Sequence, residues 1–298
     1  MSSTPSLSPA APIVSIRDLQ KSFLSNSLFE GLNLQLERGR FYALLGKNGS
    51  GKSTLVKILA HREVANSGTC QVLGVGLDED FGAKANQIGF VSELNVLNQL
   101  DPGLTFLEQS AAFFQGWNPE TADRLVKGFH LDLSKRLREL SRGQQVQLNL
   151  VLNLSYHPEL IILDEVTSVL DASARDLLMQ ELVNRVGAGA TVVLATNIVT
   201  EVQGFATYLI LLGEKKVKAA KSTAEISEDF YKIEKRPGDL SAIFQLDSCI
   251  EVGLSLRNHP QFLILKTDVD SSSGIDRVLS DQDITATDIF IYLTRLRS

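Results

Sequence analysis

Short apolar runs alternate with helical periodicities over the first two thirds of the chain. Three apolar runs of four or five residues stand out, at Phe41–Leu45, 160–163 and 191–195. Continuous β-branched and leucine runs of this length are typical of parallel strands buried on both faces. Helical patterns lie between them, at 52–60, 144–156 and 173–186. This alternation predicts an α/β fold built on a parallel sheet.

Residues 92–140 have a mostly helical pattern and form a predicted insert. The stretch from Thr105 to Glu108 fits a capping box at the start of one helix. Asn118, which precedes a proline, marks the start of another helix. We expect a group of aromatic residues to form the core of the insert: Phe106, Phe113, Phe114 and Trp117.

The pattern of apolar and polar residues changes again at about 222–228, where we place a domain boundary. Beyond it lie a short predicted strand at 261–266 and an amphipathic helix at about 286–296. Residues 1–12 contain four serines and three prolines, a composition typical of disorder. We therefore expect three parts: a disordered tail at 1–12, a domain at 13–225 that carries the helical insert at about 92–140, and an accessory domain at 226–298.

Composition and charge narrow the class of protein. A hydrophobic fraction of 44% is ordinary for a globular chain of 298 residues. The net charge of −6 gives no basic surface for binding nucleic acid. Cys70 and Cys249 form no CxxC motif, so we expect neither a disulfide scaffold nor a zinc site. The chain has no apolar run of about 20 residues and no signal-peptide pattern at its start. We expect a cytoplasmic protein that does not span a membrane.

Residues 46–54 read Gly-Lys-Asn-Gly-Ser-Gly-Lys-Ser-Thr, between a predicted strand and a predicted helix. This matches the phosphate-binding loop GxxxxGK[ST] in its expected context. Glycines let backbone N–H groups converge on an anion, and the next helix presents its positive end to the same phosphates. We expect Lys52 to reach the β- and γ-phosphates and Ser53 to bind Mg²⁺. The predicted nucleotide-binding residues of this loop are Gly46, Asn48, Gly49, Ser50, Gly51, Lys52, Ser53 and Thr54.

The apolar run at 160–163 closes on two acidic residues, Asp164 and Glu165. In enzymes with a phosphate-binding loop, an aspartate at the end of such a strand holds Mg²⁺ beside the nucleotide. A second carboxylate can polarise the attacking water as a general base. Alone, the run would more often be a strand that ends in a solvated turn. Together with the loop, it predicts that Asp164 binds Mg²⁺ and Glu165 acts as base.

Five further segments make the chain resemble the ATP-binding cassette (ABC) ATPases over about residues 13–220. Leu-Ser-Arg-Gly-Gln at 140–144 resembles the family signature LSGGQ, and residues 168–171 resemble the D-loop. Phe23 resembles the aromatic residue that stacks on adenine, and residues 88–93 resemble the strand and Q-loop. Thr196 and Asn197 resemble the switch. The resemblance implies a P-loop NTPase core of ABC type with a helical subdomain and an antiparallel β subdomain. A small C-terminal α+β accessory domain would follow.

The resemblance also implies roles for these residues. Contacts to ATP across a dimer interface are implied for Ser141, Gly143, Gln144 and Asp171. Phe23 would stack on adenine, although by base rate an aromatic is more often a core residue. Glu93 and Asn197 would join Lys52 and Glu165 in catalysis. The implied Mg²⁺ ligands are Ser53, Glu93 and Asp164.

The chain departs from the family pattern at four positions. Arg142 replaces the first glycine of the signature, and Val166 replaces a proline after the acidic pair. Glu93 stands where the family has glutamine. Asn197 stands where the family has the switch histidine, and an amide donates hydrogen bonds but cannot become cationic. We therefore expect ATP binding to be intact and turnover to be slowed.

The resemblance implies the ATPase subunit of an ABC exporter that works as a homodimer or heterodimer with ATP and Mg²⁺. Its partners would be integral membrane permease subunits on a separate chain, at the inner face of the membrane. The helix at 286–296 resembles the final helix of exporter-branch ATPases, or simply covers an accessory sheet; a role in stabilising the dimer is a hypothesis. Two alternatives stay open: a non-transport ABC ATPase that acts on nucleic acid or ribosomes, and a catalytically slow regulatory subunit.

Overall fold

The structure is a computed structural model. It describes residues 11–24, 26–46, 48–93, 100–198, 201–202, 204–213, 215–223, 225, 230–234, 237, 250–254, 259–265, 284 and 286–295. Most of the predicted tail, residues 94–99 of the predicted insert and Cys249 lie outside these ranges. No helix in the described ranges is long and apolar enough to cross a membrane.

The described strands and helices follow the alternation expected from the sequence. The strands are β1 (Val14–Phe23), β2 (Asn26–Leu36), β3 (Phe41–Leu45), β4 (Ser67–Val72), β5 (Val75–Gly76), β6 (Ile88–Ser92), β7 (Leu160–Asp164), β8 (Thr191–Thr196), β9 (Tyr208–Gly213), β10 (Lys216–Ser222), β11 (Phe230–Glu234), β12 (Ile250–Leu254) and β13 (Pro260–Leu265). The helices are α1 (Lys52–Leu59), α2 (Gly103–Ala111), α3 (Pro119–Gly128), α4 (Arg142–Ser155), α5 (Ala172–Gly187) and α6 (Ala286–Arg295). Short 3₁₀ helices lie at Gly82–Gln87, Leu137–Glu139 and Val166–Val169.

A six-stranded sheet in the order β10-β9-β3-β8-β7-β6 forms the centre of the fold. The strands from β9 to β6 pair in parallel, and only β10 is antiparallel to its neighbour. β3, β7 and β8 are buried along their whole length. Helices cover both faces of the sheet, which explains why these strands are continuous apolar runs.

Two hydrophobic cores lie on the two faces of this sheet. Phe41, Ala43 and Leu45 of β3 face the core that α3, α4 and α5 complete, whereas Tyr42 and Leu44 face the other. The second core contains α1 and a four-stranded antiparallel sheet in the order β2-β1-β4-β5. The alternation follows from the two-residue period of a strand, and it places α1 between the two sheets.

In the predicted helical insert, α3 packs on α4. Asn118 caps α3, since its side-chain oxygen accepts a hydrogen bond of 2.8 Å from the Thr121 N–H. The predicted capping box at Thr105 is wrong: α2 begins two residues earlier, at Gly103, after Pro102. Of the aromatic group, Phe106, Phe114 and Trp117 pack on the core, but the Phe113 side chain is 80% exposed.

A three-stranded antiparallel sheet in the order β11-β13-β12 and helix α6 follow near the C-terminus. Helix α6 packs against β12 and β13. Lys232 on β11 and Asp288 on α6 form a buried ion pair of 2.9 Å. The predicted strand at 261–266 and helix at 286–296 therefore exist, and the α/β class with a C-terminal α+β part is confirmed.

Candidate functional site

The functional residues predicted from the sequence gather where the parallel strands end. In the sheet register, Leu45 at the end of β3 pairs with Thr196, and Asp164 at the end of β7 pairs with both Ala195 and Ser92. Because parallel strands present their carboxyl ends at the same edge, loops from distant parts of the chain meet there. Ligands of open α/β sheets bind at this edge.

The described residues of the loop between β3 and α1, 46 and 48–51, lie in a tight turn that needs glycine at particular positions. A Cβ atom on Gly46 would lie 2.6 Å from the Leu212 carbonyl oxygen. Gly51 has a φ of 100°, and a Cβ there would lie 2.7 Å from the ring of Phe29. Helix α1 begins at Lys52 immediately afterwards, so its positive N-terminal end faces the loop.

Lys52 lies at the centre of the site. Its side chain is buried, and its Nζ donates a hydrogen bond of 2.9 Å to the Gly46 carbonyl oxygen. The same Nζ lies 3.6 Å from Oε1 of Glu165. The predicted phosphate-binding cation and the predicted general base are therefore adjacent.

Ser53 and Asp164 are in direct contact, as expected for two Mg²⁺ ligands. The Ser53 hydroxyl donates a hydrogen bond of 3.0 Å to Oδ1 of Asp164. Burial raises the pKa of Asp164 above its ordinary value of 3.8, and the hydrogen bond from Ser53 opposes this rise. A buried carboxylate that is costly to ionise is well placed to gain from a nearby cation.

These oxygen donors fit Mg²⁺ bound together with a nucleotide. Within the described ranges, no cluster of three or more His, Cys, Asp and Glu side chains could form an all-protein metal cage. Mg²⁺ commonly binds through one or two carboxylates while substrate phosphates and waters supply the remaining ligands. The Ser50 hydroxyl oxygen is also buried, without a hydrogen-bond partner in the described part of the chain, inside a loop shaped for an anion.

An open cleft of about 390 Å³ joins the loop to Phe23. Its lining includes Phe23, Leu28, Asn48, Gly49, Gly51, Lys52, Ser53, Thr54 and Glu165. The Phe23 side chain is 48% exposed, and Nζ of Lys21 lies 4.5 Å from its ring centroid. Lys21 is itself fixed by an ion pair of 2.7 Å with Glu63. Phe23 is thus a partly exposed aromatic residue that lines the cleft beside the loop, and not a core residue.

The turn after β7 holds Glu165 in an uncommon backbone conformation. Glu165 has a φ of 53°, in the left-handed region. Its N–H donates to the Ala195 carbonyl oxygen at 3.0 Å, and its carbonyl oxygen accepts from the Ser168 hydroxyl at 2.7 Å. These bonds fix the residue where its carboxylate lines the cleft.

A buried network behind this turn was not predicted from the sequence. Oε2 of Glu201 accepts hydrogen bonds from the hydroxyls of Thr167, at 2.5 Å, and Thr196, at 3.0 Å. Oε1 of Glu201 lies 3.7 Å from Nε of Arg175, whose guanidinium donates to the carbonyl oxygens of Thr167 and Leu170. One carboxylate therefore links the turn after β7, helix α5 and the end of β8.

Asn197 reaches the phosphate loop from the end of β8. Its side-chain Nδ2 donates a hydrogen bond of 3.1 Å to Oδ1 of Asn48. Both side chains are exposed. The structure thus brings the predicted switch residue to the edge of the cleft.

The signature residues lie at the start of α4, outside the lining of this cleft. Ser141 caps the helix: its Oγ accepts from the Gln144 N–H at 3.2 Å, and its own N–H donates to Oε1 of Gln144 at 2.9 Å. A Cβ on Gly143 would lie 2.7 Å from the Val169 carbonyl oxygen. Asp171 caps α5 in the same way, through the Ala174 N–H. These residues lie near one another but not at the loop of their own chain.

Glu93 contacts the signature segment. Its N–H donates to the Asp164 carbonyl oxygen at 3.3 Å, so its backbone lies beside the predicted Mg²⁺ ligand. Its carboxylate, however, forms an ion pair of 2.6 Å with Arg142. Glu93 and Arg142, which are two separate departures from the family pattern in the sequence, are therefore partners in the structure.

Comparison with known proteins agrees with this geometry. Residues 29–168 match the model of the family described as ABC transporter. The chain is 27% identical over 226 residues to the ABC transporter ATP-binding protein YtrB of Bacillus subtilis, over 74% of this chain and 76% of that protein. It is 29% identical over 215 residues to the Nod factor export ATP-binding protein I of Burkholderia lata, over 69% of each.

Among solved structures, a dimeric ATP-binding cassette in a post-hydrolysis state, bound to ADP and Pi, is similar in fold. Its TM-score is 0.63 at 24% identity, over 70% of this chain and 98% of that one. The family resemblance and the fold class inferred from the sequence are both confirmed. Residues 29–168 therefore match the ABC transporter family, and the fold around them is that of an ATP-binding cassette.

Proposed function

We propose that this chain is the ATP-hydrolysing subunit of an ABC exporter whose membrane subunits are separate chains. The observation that carries the proposal is the convergence of Lys52, Ser53 and Glu165 on one open cleft, with Asp164 hydrogen-bonded to Ser53. The name of one relative, a Nod factor export protein, supports the export direction. Residues 13–225 would form the ATPase domain, with residues 226–298 as its accessory domain.

The residues in and beside the cleft have separate roles in hydrolysis. Backbone N–H groups of the loop, together with the N-terminus of α1, bind the phosphates, and Lys52 offsets their charge. Glu165 accepts the proton of the water that attacks the γ-phosphorus, and the bond to the ADP oxygen breaks. Ser53 and Asp164 would hold Mg²⁺, with Glu93, which follows the neighbouring strand β6, as a third oxygen donor. When bound, Mg²⁺ supplies positive charge against the phosphates.

The signature residues act on a second copy or a related subunit. Ser141, Gly143 and Gln144 lie at the exposed start of α4, whose dipole favours an anion, yet they do not line the cleft of their own chain. With Asp171 they would contact the ATP held by the partner subunit's loop. ATP would thus close the dimer and hydrolysis would open it. The dimeric cassette with a similar fold supports this arrangement.

The replacement of the switch histidine favours slow turnover. The Asn197 amide can donate a hydrogen bond, as it does to Asn48, but it cannot carry a proton to or from the site. This one feature also supports the alternative of a slow regulatory subunit. The change Asn197→His should therefore raise kcat in the assembled complex, and an unchanged rate would mean that Asn197 does not act as the switch.

The ATPase proposal is tested by comparing the full chain with Glu165→Gln. Both proteins should bind a fluorescent ATP analogue with similar affinity, because Glu165 lies at the edge of the phosphate loop and not within it. Phosphate release should fall by about 100-fold or more in the variant, the effect expected for loss of a general base. Equal phosphate release by the two proteins would contradict the assignment of Glu165.

The transport proposal is tested by the partners that the chain retains. Affinity purification from detergent-solubilised membranes should recover a multi-span protein. Recovery of ribosomal proteins or nucleic acid instead would favour the non-transport alternative, which the net charge of −6 does not support.

A further inference from the structure

Glu93 and Arg142 each depart from the family pattern, and the structure joins them in one ion pair. The Arg142 guanidinium lies 2.6 Å from Oε1 of Glu93. The Glu93 side chain is 19% exposed and that of Arg142 is 58% exposed. Where the resemblance would place a neutral glutamine and a glycine, this chain has an acid and a base in contact.

The pair connects two parts of the proposed catalytic machinery. Glu93 follows β6, and its N–H donates to the carbonyl oxygen of Asp164. Arg142 is the first residue of α4 and follows Ser141, the helix cap. The ion pair therefore joins the edge of the sheet to the start of the signature helix in the same chain.

The charges around the cleft explain why an acid at position 93 needs a partner. The edge of the sheet already carries the carboxylates of Asp164 and Glu165, and Lys52 pairs with Glu165. ATP would add several negative charges at the same edge. A third carboxylate in place of a neutral amide therefore adds repulsion, unless a cation holds and balances it.

We propose that Arg142 is a positioning residue that holds Glu93 and balances its charge, so that the nucleotide can bind beside a carboxylate. The two residues then act as a matched pair that replaces the neutral combination of the family pattern. This inference rests on the proposed function, since it assumes that ATP occupies the cleft that begins at Lys52.

The proposal predicts an effect that depends on which residue occupies position 93. Arg142→Ala should weaken ATP binding about fivefold, near the upper limit for an exposed ion pair. In the Glu93→Gln background the same change should alter binding less than twofold, because no carboxylate is left to balance. The double variant with Glu93→Gln and Arg142→Gly, which restores the family pattern, should bind within twofold of the Glu93→Gln single variant.

The experiment is a double-mutant cycle on the full chain, with equilibrium binding of a fluorescent ATP analogue as the readout. Arg138→Ala is the matched control: it removes an exposed arginine from the neighbouring 3₁₀ helix, where the described residues give it no ion pair. Raising the salt concentration should shrink the effect of Arg142→Ala, because exposed charges are screened. Thermal unfolding of each variant identifies losses caused by misfolding.

The outcomes separate this inference from the proposed function. Failure of the unmodified chain to bind the analogue, or undiminished binding by Lys52→Ala, would overturn the proposed function. If the unmodified chain binds the analogue, an equal loss of affinity on Arg142→Ala with Glu93 present and in the Glu93→Gln variant would mean that Arg142 has only a structural role. No loss in the Glu93 background would also overturn the matched pair.

Discussion

Replacing Glu201 with glutamine perturbs the buried network behind the turn at Glu165 and nearly preserves the shape of the side chain. The side chain is 4% exposed, and one oxygen accepts from Thr167 and Thr196. The other oxygen faces Nε of Arg175 at 3.7 Å. Glutamine retains one oxygen for the two hydroxyls but places an N–H donor against the guanidinium.

The expected cost follows from these contacts. A hydrogen bond to a charged group contributes about 1.5–3 kcal/mol, against about 0.5–1.5 kcal/mol for a neutral one. Each threonine bond therefore weakens by about 1 kcal/mol. The Arg175 side chain is 33% exposed, so loss of its ion pair adds at most about 1 kcal/mol. The change Glu201→Gln should lower the free energy of unfolding by about 2–3 kcal/mol and the melting temperature by about 5–10 °C.

Activity should fall as well, through kcat more than through KM for ATP. Thr196 precedes Asn197, and Thr167 follows Glu165 by two residues. A looser network should therefore misplace Asn197 and Glu165, the residues proposed to act on the γ-phosphate, and leave the phosphate loop unchanged. Circular dichroism melts and steady-state phosphate release measure the two effects.

A matched control is available on the surface. The ion pair of Glu159 with Arg38 has a distance of 2.6 Å, but the two side chains are 47% and 39% exposed. Glu159→Gln should cost less than about 1 kcal/mol. If Glu201→Gln were no more destabilising than this control, the buried network would not have the role assigned to it.

Three further predictions concern other parts of the chain. Gly51→Ala should abolish binding of a fluorescent ATP analogue, because a Cβ would lie 2.7 Å from the Phe29 ring at a φ of 100°; normal affinity would contradict the loop geometry. Asp164→Asn should stabilise the nucleotide-free protein near pH 7, as measured by urea unfolding. Burial raises the pKa of Asp164 in the folded state, so the protonated carboxyl favours folding. This contribution to the free energy of unfolding is complete below about pH 3.8 and is lost as the pH rises through the pKa of the folded state. The gain should shrink as pH falls, and a pH-independent gain would contradict the sign. Lys232→Met removes the cation from the buried ion pair with Asp288, at a cost of about 3–5 kcal/mol. Hydrogen exchange in α6 should accelerate, and unchanged protection would contradict the role of the pair.

The local patterns of the sequence were sufficient to predict three of the six strands of the central sheet, β3, β7 and β8, and the phosphate loop. A buried parallel strand is a continuous apolar run, and the loop needs glycines at fixed positions, so both leave a linear signal. The start of α2 was predicted wrongly at Thr105, because a favourable capping pattern there does not exclude a helix that begins earlier, at Gly103. The residue pattern identified this possible cap but not the tertiary context that extends the helix.

The contacts between distant side chains could not be predicted in this way. Glu201 meets Thr167 only because β7 and β8 are neighbours in the sheet, and neither residue belongs to a periodic pattern. Glu93 and Arg142 were recognised as departures from a family pattern, but their pairing depends on how α4 packs against β6. Such pairs depend on the assembled fold and leave no signal of their own in the sequence.

The strand order also has a consequence for synthesis of the protein on the ribosome. β3 ends at Leu45, yet its two neighbours in the sheet begin only at Thr191 and Tyr208. At about 5–20 residues per second, roughly 7 to 30 s pass before the first of these partners has been made. Through that interval the five apolar residues of β3 have no strand to pair with and are open to chaperones or to aggregation. A chain truncated before Thr191 would carry the complete phosphate-loop motif but neither of the strands that pair with β3. We therefore expect nucleotide binding only after translation has passed both strands.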